Sequence, residues 1–293
     1  MSIFRGSGVA IVTPFNESQG VDYKAYERLV NFHLENHTDS IIVCGTTGEA
    51  STLTEDERAS LIKLTVDMVN KKIPVIAGTG SNNTLHSIHL TQTAEKCGAD
   101  GILNVTPYYN KATQKGLISH FTQIADSTSL PIILYSVASR TGTNILPKTV
   151  YELSKVKNIV GIKEASGDIS QIAEIASLCD DSFDIYSGND DQIVPIMSLG
   201  GVGVISTVAN IIPQTVHDIC AQYDNGNRAA SLKLQLGILN LIRACFIEVN
   251  PIPVKEALGM MGMLDPVFRS PMCPLEDKNR DFVREQLKAY ALI

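Results

Sequence analysis

Apolar residues along this chain gather in short runs, separated by longer stretches in which apolar and polar positions recur with helical spacing. The runs are "GVAIVTP" (8–14), "SIIVCG" (40–45), "IPVIAG" (73–78), "DGILNVTP" (100–107), "LPIILYS" (130–136), "NIVGIKE" (158–164), "FDIYSG" (183–188) and "GVGVIST" (201–207). Each has the length and β-branched content of a parallel strand buried on both faces. The stretches between them carry helix punctuation. Thr54 with Glu57 three residues on is a capping box, Gly98 stops the helix within "SNNTLHSIHLTQTAEKCGAD", and "NDDQIVPIMSLGG" closes on two glycines. Eight strand signals alternating with helices predict an α/β chain folded as a (β/α)8 barrel. An open doubly wound sheet would need a switch point, and no phosphate fingerprint marks one. From Pro213 the segments are helical only, ending in a charged helix near 277–290. The expected division is a barrel over 1–224 carrying the active site and a C-terminal helical domain over 225–293, with no linker rich in Pro, Gly or Ser between them.

Composition narrows the functional classes. The 293 residues are 44% apolar and 19% charged, an ordinary globular balance, and the formal charge of −7 argues against nucleic-acid or acidic-membrane partners. No run approaches the ~18 apolar residues of a membrane span, and the first residues lack a signal-peptide pattern. Six scattered cysteines without a CxxC pair fit a reducing cytoplasm better than a disulfide framework.

The sixth run ends in Lys163 and Glu164. Alone, such a lysine reaches water from the end of its strand. In a barrel the C-terminal strand ends form the active site, so Lys163 faces a pocket, where a deprotonated amine can attack a ketone as a Schiff-base nucleophile. At an ordinary lysine pKa only about one amine in 2,500 is neutral at pH 7. The apolar neighbours Ile159, Val160, Ile162 and Ile205 favour the neutral form. Tyr109 and Tyr135 end other strands, where hydroxyls can relay protons. "GTTG" (45–48) offers amides and two hydroxyls, Thr46 and Thr47, as an anion nest, and Arg140 offers a fork for a second carboxylate. Each of these features is common by itself; they inform by converging on one barrel face.

Two histidine pairs have ligand spacing: His33 with His37, and His86 with His89. Neither has the Glu of HExxH or a third ligand, and both lie on outer helices, so no metal is expected. "GTGSNN" lacks the third glycine and ribose acid of a dinucleotide loop and reads as a turn and helix cap. No cofactor is expected.

"GTTGEAS", "VTPYYNKATQKGL", "SRTG", "GIKEASGD", "SGND", "GVGVIS" and "NPIPVK" together resemble the dihydrodipicolinate synthase family, of the pyruvate Schiff-base aldolase and lyase superfamily, along nearly the whole chain. The resemblance implies a lyase of the diaminopimelate route to lysine, condensing pyruvate with aspartate-4-semialdehyde in a cytoplasmic homotetramer, a dimer of dimers. It implies Lys163 as the Schiff-base lysine and Tyr135 as general acid/base. Thr46 would link Tyr135 to a Tyr109 that crosses into the neighbouring subunit's site. Thr46 and Thr47 would hold the pyruvate carboxylate, Arg140 that of the semialdehyde, and the Ile205 backbone would line the pocket. Sialic acid lyases and 2-keto-3-deoxy sugar-acid aldolases share the lysine and first tyrosine. They usually differ at the second hydroxyl of "GTTGE" and lack the "SRTG" arginine, so Thr47 and Arg140 favour the synthase. A barrel that merely binds a keto acid would not need the full lysine, tyrosine and threonine set.

Two departures from the family pattern carry expectations. The family usually reads Tyr-Asn-Val-Pro where this chain has Ser136 and Ala138, and losing the proline is expected to loosen the loop bearing Arg140. Lysine-inhibited members bind lysine near positions matched here by Ala50, Asn82 and Tyr108. This chain places Arg58 where those members have a histidine or an acid, and His86 in place of a carboxylate, so weak or absent lysine inhibition is expected.

Overall fold

The computed structural model describes residues 2–293. Its first half runs β1 (Gly6–Ala10), α1 (Tyr23–Glu35), β2 (Ser40–Val43), α2 (Glu55–Val69), β3 (Val75–Gly78), α3 (Thr84–Lys96), β4 (Gly101–Val105) and α4 (Gln114–Ala125). Then follow β5 (Ile132–Ser136), the single turn α5 (Ala138–Thr141), α6 (Pro147–Ser154), β6 (Ile159–Glu164), α7 (Ile169–Leu178), β7 (Asp184–Ser187), α8 (Ile193–Ser198) and β8 (Gly203–Ser206). The chain ends with α9 (Pro213–Asp224), α10 (Arg228–Gly237), α11 (Leu239–Cys245), α12 (Ile252–Met260) and α13 (Asp277–Ala289). The eight strands pair in parallel and in sequence order, and β8 closes on β1. This is the (β/α)8 barrel that the eight apolar runs predict.

Period-two alternation explains why those runs are apolar throughout. In β2, Ile41 and Val43 face the helices while Ile42 faces the barrel interior. The interior layer includes Phe4, Ile76, Leu103, Ile133 and Tyr186, with the Phe4 and Tyr186 rings stacked 4.5 Å apart. The capping box forms as expected: Thr54 Oγ1 accepts from the Glu57 amide, and the Glu57 carboxylate accepts from the Thr54 amide. Asn83 of "GTGSNN" caps α3.

Three local differences have physical causes. Strand β1 starts two residues before "GVAIVTP" and stops at Ala10, because the Val12 amide leaves the ladder and donates to Asn210 Oδ1 at 3.1 Å. The segment after Arg228 is two helices, interrupted around Ile238 just past Gly237, a residue that weakens helices. Between β5 and β6 the register shifts by one residue after Ile132, which pairs with Ile159 while Ile133 pairs with Gly161. That shift sets Tyr135 opposite Lys163; without it Tyr135 would face Ile162, whose side chain points to the other side of the sheet.

Helix α9 packs on β1 as the eighth barrel helix, and α10 packs on α9. Helices α11, α12 and α13 pack on one another, and α11 and α12 also reach the turn after β8, beside the C-terminal mouth of the barrel. Among the described residues no helix is long and apolar enough to cross a membrane.

Candidate active site

At the C-terminal mouth, a cavity of about 200 Å³ is lined by Thr46, Thr47, Tyr135, Arg140, Lys163 and Asn250, among others. A second chamber of about 270 Å³ opens beside it, sharing Thr46, Tyr135, Arg140 and Asn250 and adding Arg58 and Tyr108. Lys163 lies in the middle of a row, paired with Tyr135 of β5 on one side and Tyr186 of β7 on the other. It is buried, with 6% exposure, and its Nζ stands 4.4 Å from the Tyr135 ring centre. Gly188, just past β7, lets the chain pass close to the end of β6, since a Cβ there would meet the Ala165 Cβ at 2.6 Å.

Burial lowers the Lys163 pKa to about 8; the Asp190 carboxylate opposes the shift and the Arg140 guanidinium adds to it. At pH 7 roughly one amine in ten is then neutral, against about one in 2,500 in water. Burial raises the Tyr135 phenol above its ordinary range, opposed by Arg140 and by a hydrogen bond with the Thr46 side chain. A neutral tyrosine beside a partly neutral lysine can hand a proton to a departing hydroxyl and take one back.

The "GTTG" turn is partly used by its own geometry. The Gly48 amide donates to the Gly45 carbonyl at 3.1 Å and the Glu49 amide to the Thr46 carbonyl at 3.1 Å. The Thr46 and Thr47 amides have no acceptor among the described residues, and with two hydroxyls they remain available to a carboxylate. The anion nest is therefore narrower than the sequence suggests, made by these two residues.

Arg140 lies within α5, lines the cavity, and donates from Nη2 to the Asn250 carbonyl at 3.2 Å. Around Arg140, where Ser136 and Ala138 stand in place of the family's residues, the loop makes local hydrogen bonds of its own. Ala138 begins a helical turn closed by Gly142 at φ +70°. Ser136 Oγ donates to Asn144 Oδ1 at 3.1 Å and accepts from the Ile145 amide at 3.2 Å. The serine hydroxyl ties down the far end of the loop.

Tyr109 is not part of the cavity within one chain. It sits on the loop after β4 at φ +72° and is 91% exposed, whereas its neighbour Tyr108 lines the outer chamber. Ile205 belongs to the interior layer with Ala10 and Tyr135 and does not line the cavity; Thr207, two residues on, does.

Sequence reasoning assigned no role to two buried residues that matter here. Asp190 of "SGND" accepts from Ser206 Oγ and from the Thr207 and Val208 amides at 3.1 Å each, and its charge acts on Lys163. Asn250 of "NPIPVK" donates from Nδ2 to Thr47 Oγ1 at 2.9 Å. A buried polar residue just after a strand end was the available signal for Asp190; nothing local marked Asn250.

The histidine pairs are otherwise engaged. His33 is buried on Thr38, with its pKa pulled down to about 3 by burial. His86 and His89 both bond Glu55, at 3.1 and 3.0 Å. Among the described residues no group of three His, Cys, Asp or Glu is disposed to hold a metal.

A buried, partly neutral lysine beside a tyrosine at the C-terminal mouth of a closed barrel is the arrangement that Schiff-base chemistry on a small keto acid requires. The chain belongs to the dihydrodipicolinate synthetase family, whose model matches residues 3–290. It is 57% identical over 293 residues to 4-hydroxy-tetrahydrodipicolinate synthase 1 of Clostridium acetobutylicum, covering all of both chains. The dihydrodipicolinate synthase of Thermotoga maritima superposes with a TM-score of 0.98 at 45% identity, covering all of both chains. The Acinetobacter baumannii enzyme, solved in complex with pyruvate, superposes at 0.97 with 44% identity over 99% of each chain.

Proposed function

We propose that this protein condenses pyruvate with L-aspartate-4-semialdehyde through a Schiff base on Lys163, giving 4-hydroxy-tetrahydrodipicolinate for diaminopimelate and lysine biosynthesis. The observation that carries the reading is a buried lysine amine with a pKa near 8, 4.4 Å from a neutral tyrosine ring, above two threonines with free amides. Relatives named for this synthase at 54–57% identity over essentially the whole chain support it.

The Lys163 amine attacks the pyruvate ketone, and Tyr135 protonates the departing hydroxyl so that water leaves and an imine remains. Loss of a methyl proton gives an enamine, which attacks the semialdehyde's aldehyde carbon. The semialdehyde's amino group then displaces Lys163 from the former ketone carbon, which closes the ring and frees the lysine. Thr46 and Thr47 hold the pyruvate carboxylate through amides and hydroxyls, and Arg140 holds the semialdehyde's carboxylate as a fork. Thr46 links Tyr135 to a Tyr109 supplied by a neighbouring subunit, in a cytoplasmic homotetramer that is a dimer of dimers. The barrel over 1–224 carries this chemistry, and the helical domain over 225–293 supports it.

A substrate panel tests the reading. Purified protein should turn over pyruvate with aspartate-4-semialdehyde and should not cleave sialic acid or 2-keto-3-deoxy sugar acids. Cleavage of a sugar acid at comparable kcat/KM, with no condensation, would replace the synthase assignment by a lyase one.

A further inference from the structure

Asn250 reaches the cavity from the segment before α12, far along the chain from every residue discussed above, and touches two of them. Its side-chain Nδ2 donates to Thr47 Oγ1 at 2.9 Å, and its main-chain carbonyl accepts from Arg140 Nη2 at 3.2 Å. The residue is buried, and its Oδ1 is buried without a partner among the described residues, so folding alone does not exhaust its hydrogen-bonding capacity. A hydroxyl that accepts from an amide N–H has its own proton free to point elsewhere. The other hydroxyl near Thr47 is Thr207 Oγ1, at a long 3.4 Å. The Thr47 proton is thus left for the cavity, where an anionic ligand needs a donor.

The segment is held in place firmly. Five residues beyond Asn250, Lys255 is fully buried and donates to Glu49 Oε1 at 2.5 Å and to the Val267 carbonyl at 2.7 Å. Its Nζ lies 4.4 Å from the Phe15 ring centre and 5.0 Å from that of Phe268. Glu49 follows Thr47 by two residues. The same short segment is therefore bonded to the threonine turn twice, once through a neutral amide and once through a buried ion pair.

We propose that Asn250 is a positioning residue for the synthase reaction, delivered from the C-terminal helices, which fixes Thr47 as a hydrogen-bond donor to the keto-acid carboxylate. The inference rests on the proposed role of Thr47 and deepens it. Asn250→Ala should raise the KM for pyruvate about fivefold, the effect of one neutral hydrogen bond, with kcat little changed. Asn250→Asp keeps the shape but accepts the Thr47 proton and adds a negative charge, so it should raise that KM more than the alanine variant does. A residue that merely fills space would rank the two variants the other way.

The test is a set of steady-state KM values for pyruvate in wild type, Asn250→Ala, Asn250→Asp, Thr47→Val and the Asn250→Ala/Thr47→Val double variant, with melting temperatures alongside. The double variant should be no worse than Thr47→Val alone, because Asn250 acts through that hydroxyl. Additive effects, or an aspartate variant that binds pyruvate as wild type does, would overturn the proposal. If Thr47→Val itself leaves the KM unchanged, the assignment of Thr47 fails first and takes this inference with it. If Thr47→Val is impaired while Asn250→Ala is not, only the inference fails.

Discussion

At the scale of single residues, the buried amine of Lys163 governs both pH dependence and stability. Its folded pKa, lowered to about 8 from 10.5 mainly by burial, makes the nucleophilic fraction rise as protons leave. The kcat/KM for pyruvate should therefore climb with pH through an apparent pKa near 8 and level off above it. A profile flat from pH 6 to 9 would mean that the amine is not the titrating group. The same shift has a definite sign for stability. Between about 8 and 10.5 the unfolded chain binds a proton that the folded chain does not, so this residue makes stability rise with pH across that window. Below pH 8 the full penalty is present, on the order of 3 kcal/mol. Lys163→Met should remove it, giving an inactive protein that melts no lower than wild type at pH 7, as read by calorimetry.

Among the elements, the loop through α5 and the first turns of α2 carry the two expectations most open to test. Ser136 ties that loop through Asn144, whose Nδ2 donates to Gln171 Oε1 at 2.6 Å, while Gln171 Nε2 donates to Glu164 Oε1 at 2.9 Å. Ser136→Ala breaks this connection and leaves the buried Ile145 amide without its acceptor, a loss of about 1 kcal/mol. The KM for the semialdehyde should rise severalfold, while borohydride trapping of pyruvate stays at the wild-type level. Loss of trapping in parallel would show that the loop serves both substrates. On α2, Arg58 donates to the Ala50 carbonyl at 3.2 Å and the Gly78 carbonyl at 2.8 Å and is not neutralised by either nearby acid. Glu55 is taken by the two histidines, and Glu57 by Arg269 at 2.6 Å. A fixed cation in the wall of the outer chamber opposes a cationic effector. Lysine should inhibit weakly or not at all, and Arg58→Glu should lower the half-inhibiting concentration several-fold. Sub-millimolar inhibition of the wild type would contradict this.

For the whole molecule, the exposed Tyr109 makes assembly the next question. If its hydroxyl completes a neighbour's site, Tyr109→Phe and Lys163→Ala subunits, each nearly inactive, should regain activity when mixed, because one site in each hybrid dimer is whole. No recovery after verified subunit exchange would place Tyr109 outside the mechanism. The barrel was legible in the sequence because a strand buried on both faces must be apolar along its length, and eight such runs are hard to mistake. Thr46, Thr47, Tyr135, Arg140 and Lys163 were legible because each lies at or just past a strand end, where the fold gathers side chains. Asn250 and the Lys255–Glu49 pair were not, because partners 203 and 206 residues apart leave no local periodicity. The register shift between β5 and β6 that sets Tyr135 against Lys163 was equally silent, being a property of strand pairing and not of either strand alone.

The central claim is that Lys163 forms a covalent imine with pyruvate. Borohydride reduction of the protein in the presence of pyruvate, followed by peptide mass mapping, tests it without the second substrate or any assumption about assembly. One stable adduct per chain is expected, on Lys163, absent without pyruvate and absent in Lys163→Met. No adduct, or an adduct confined to another lysine, would contradict it.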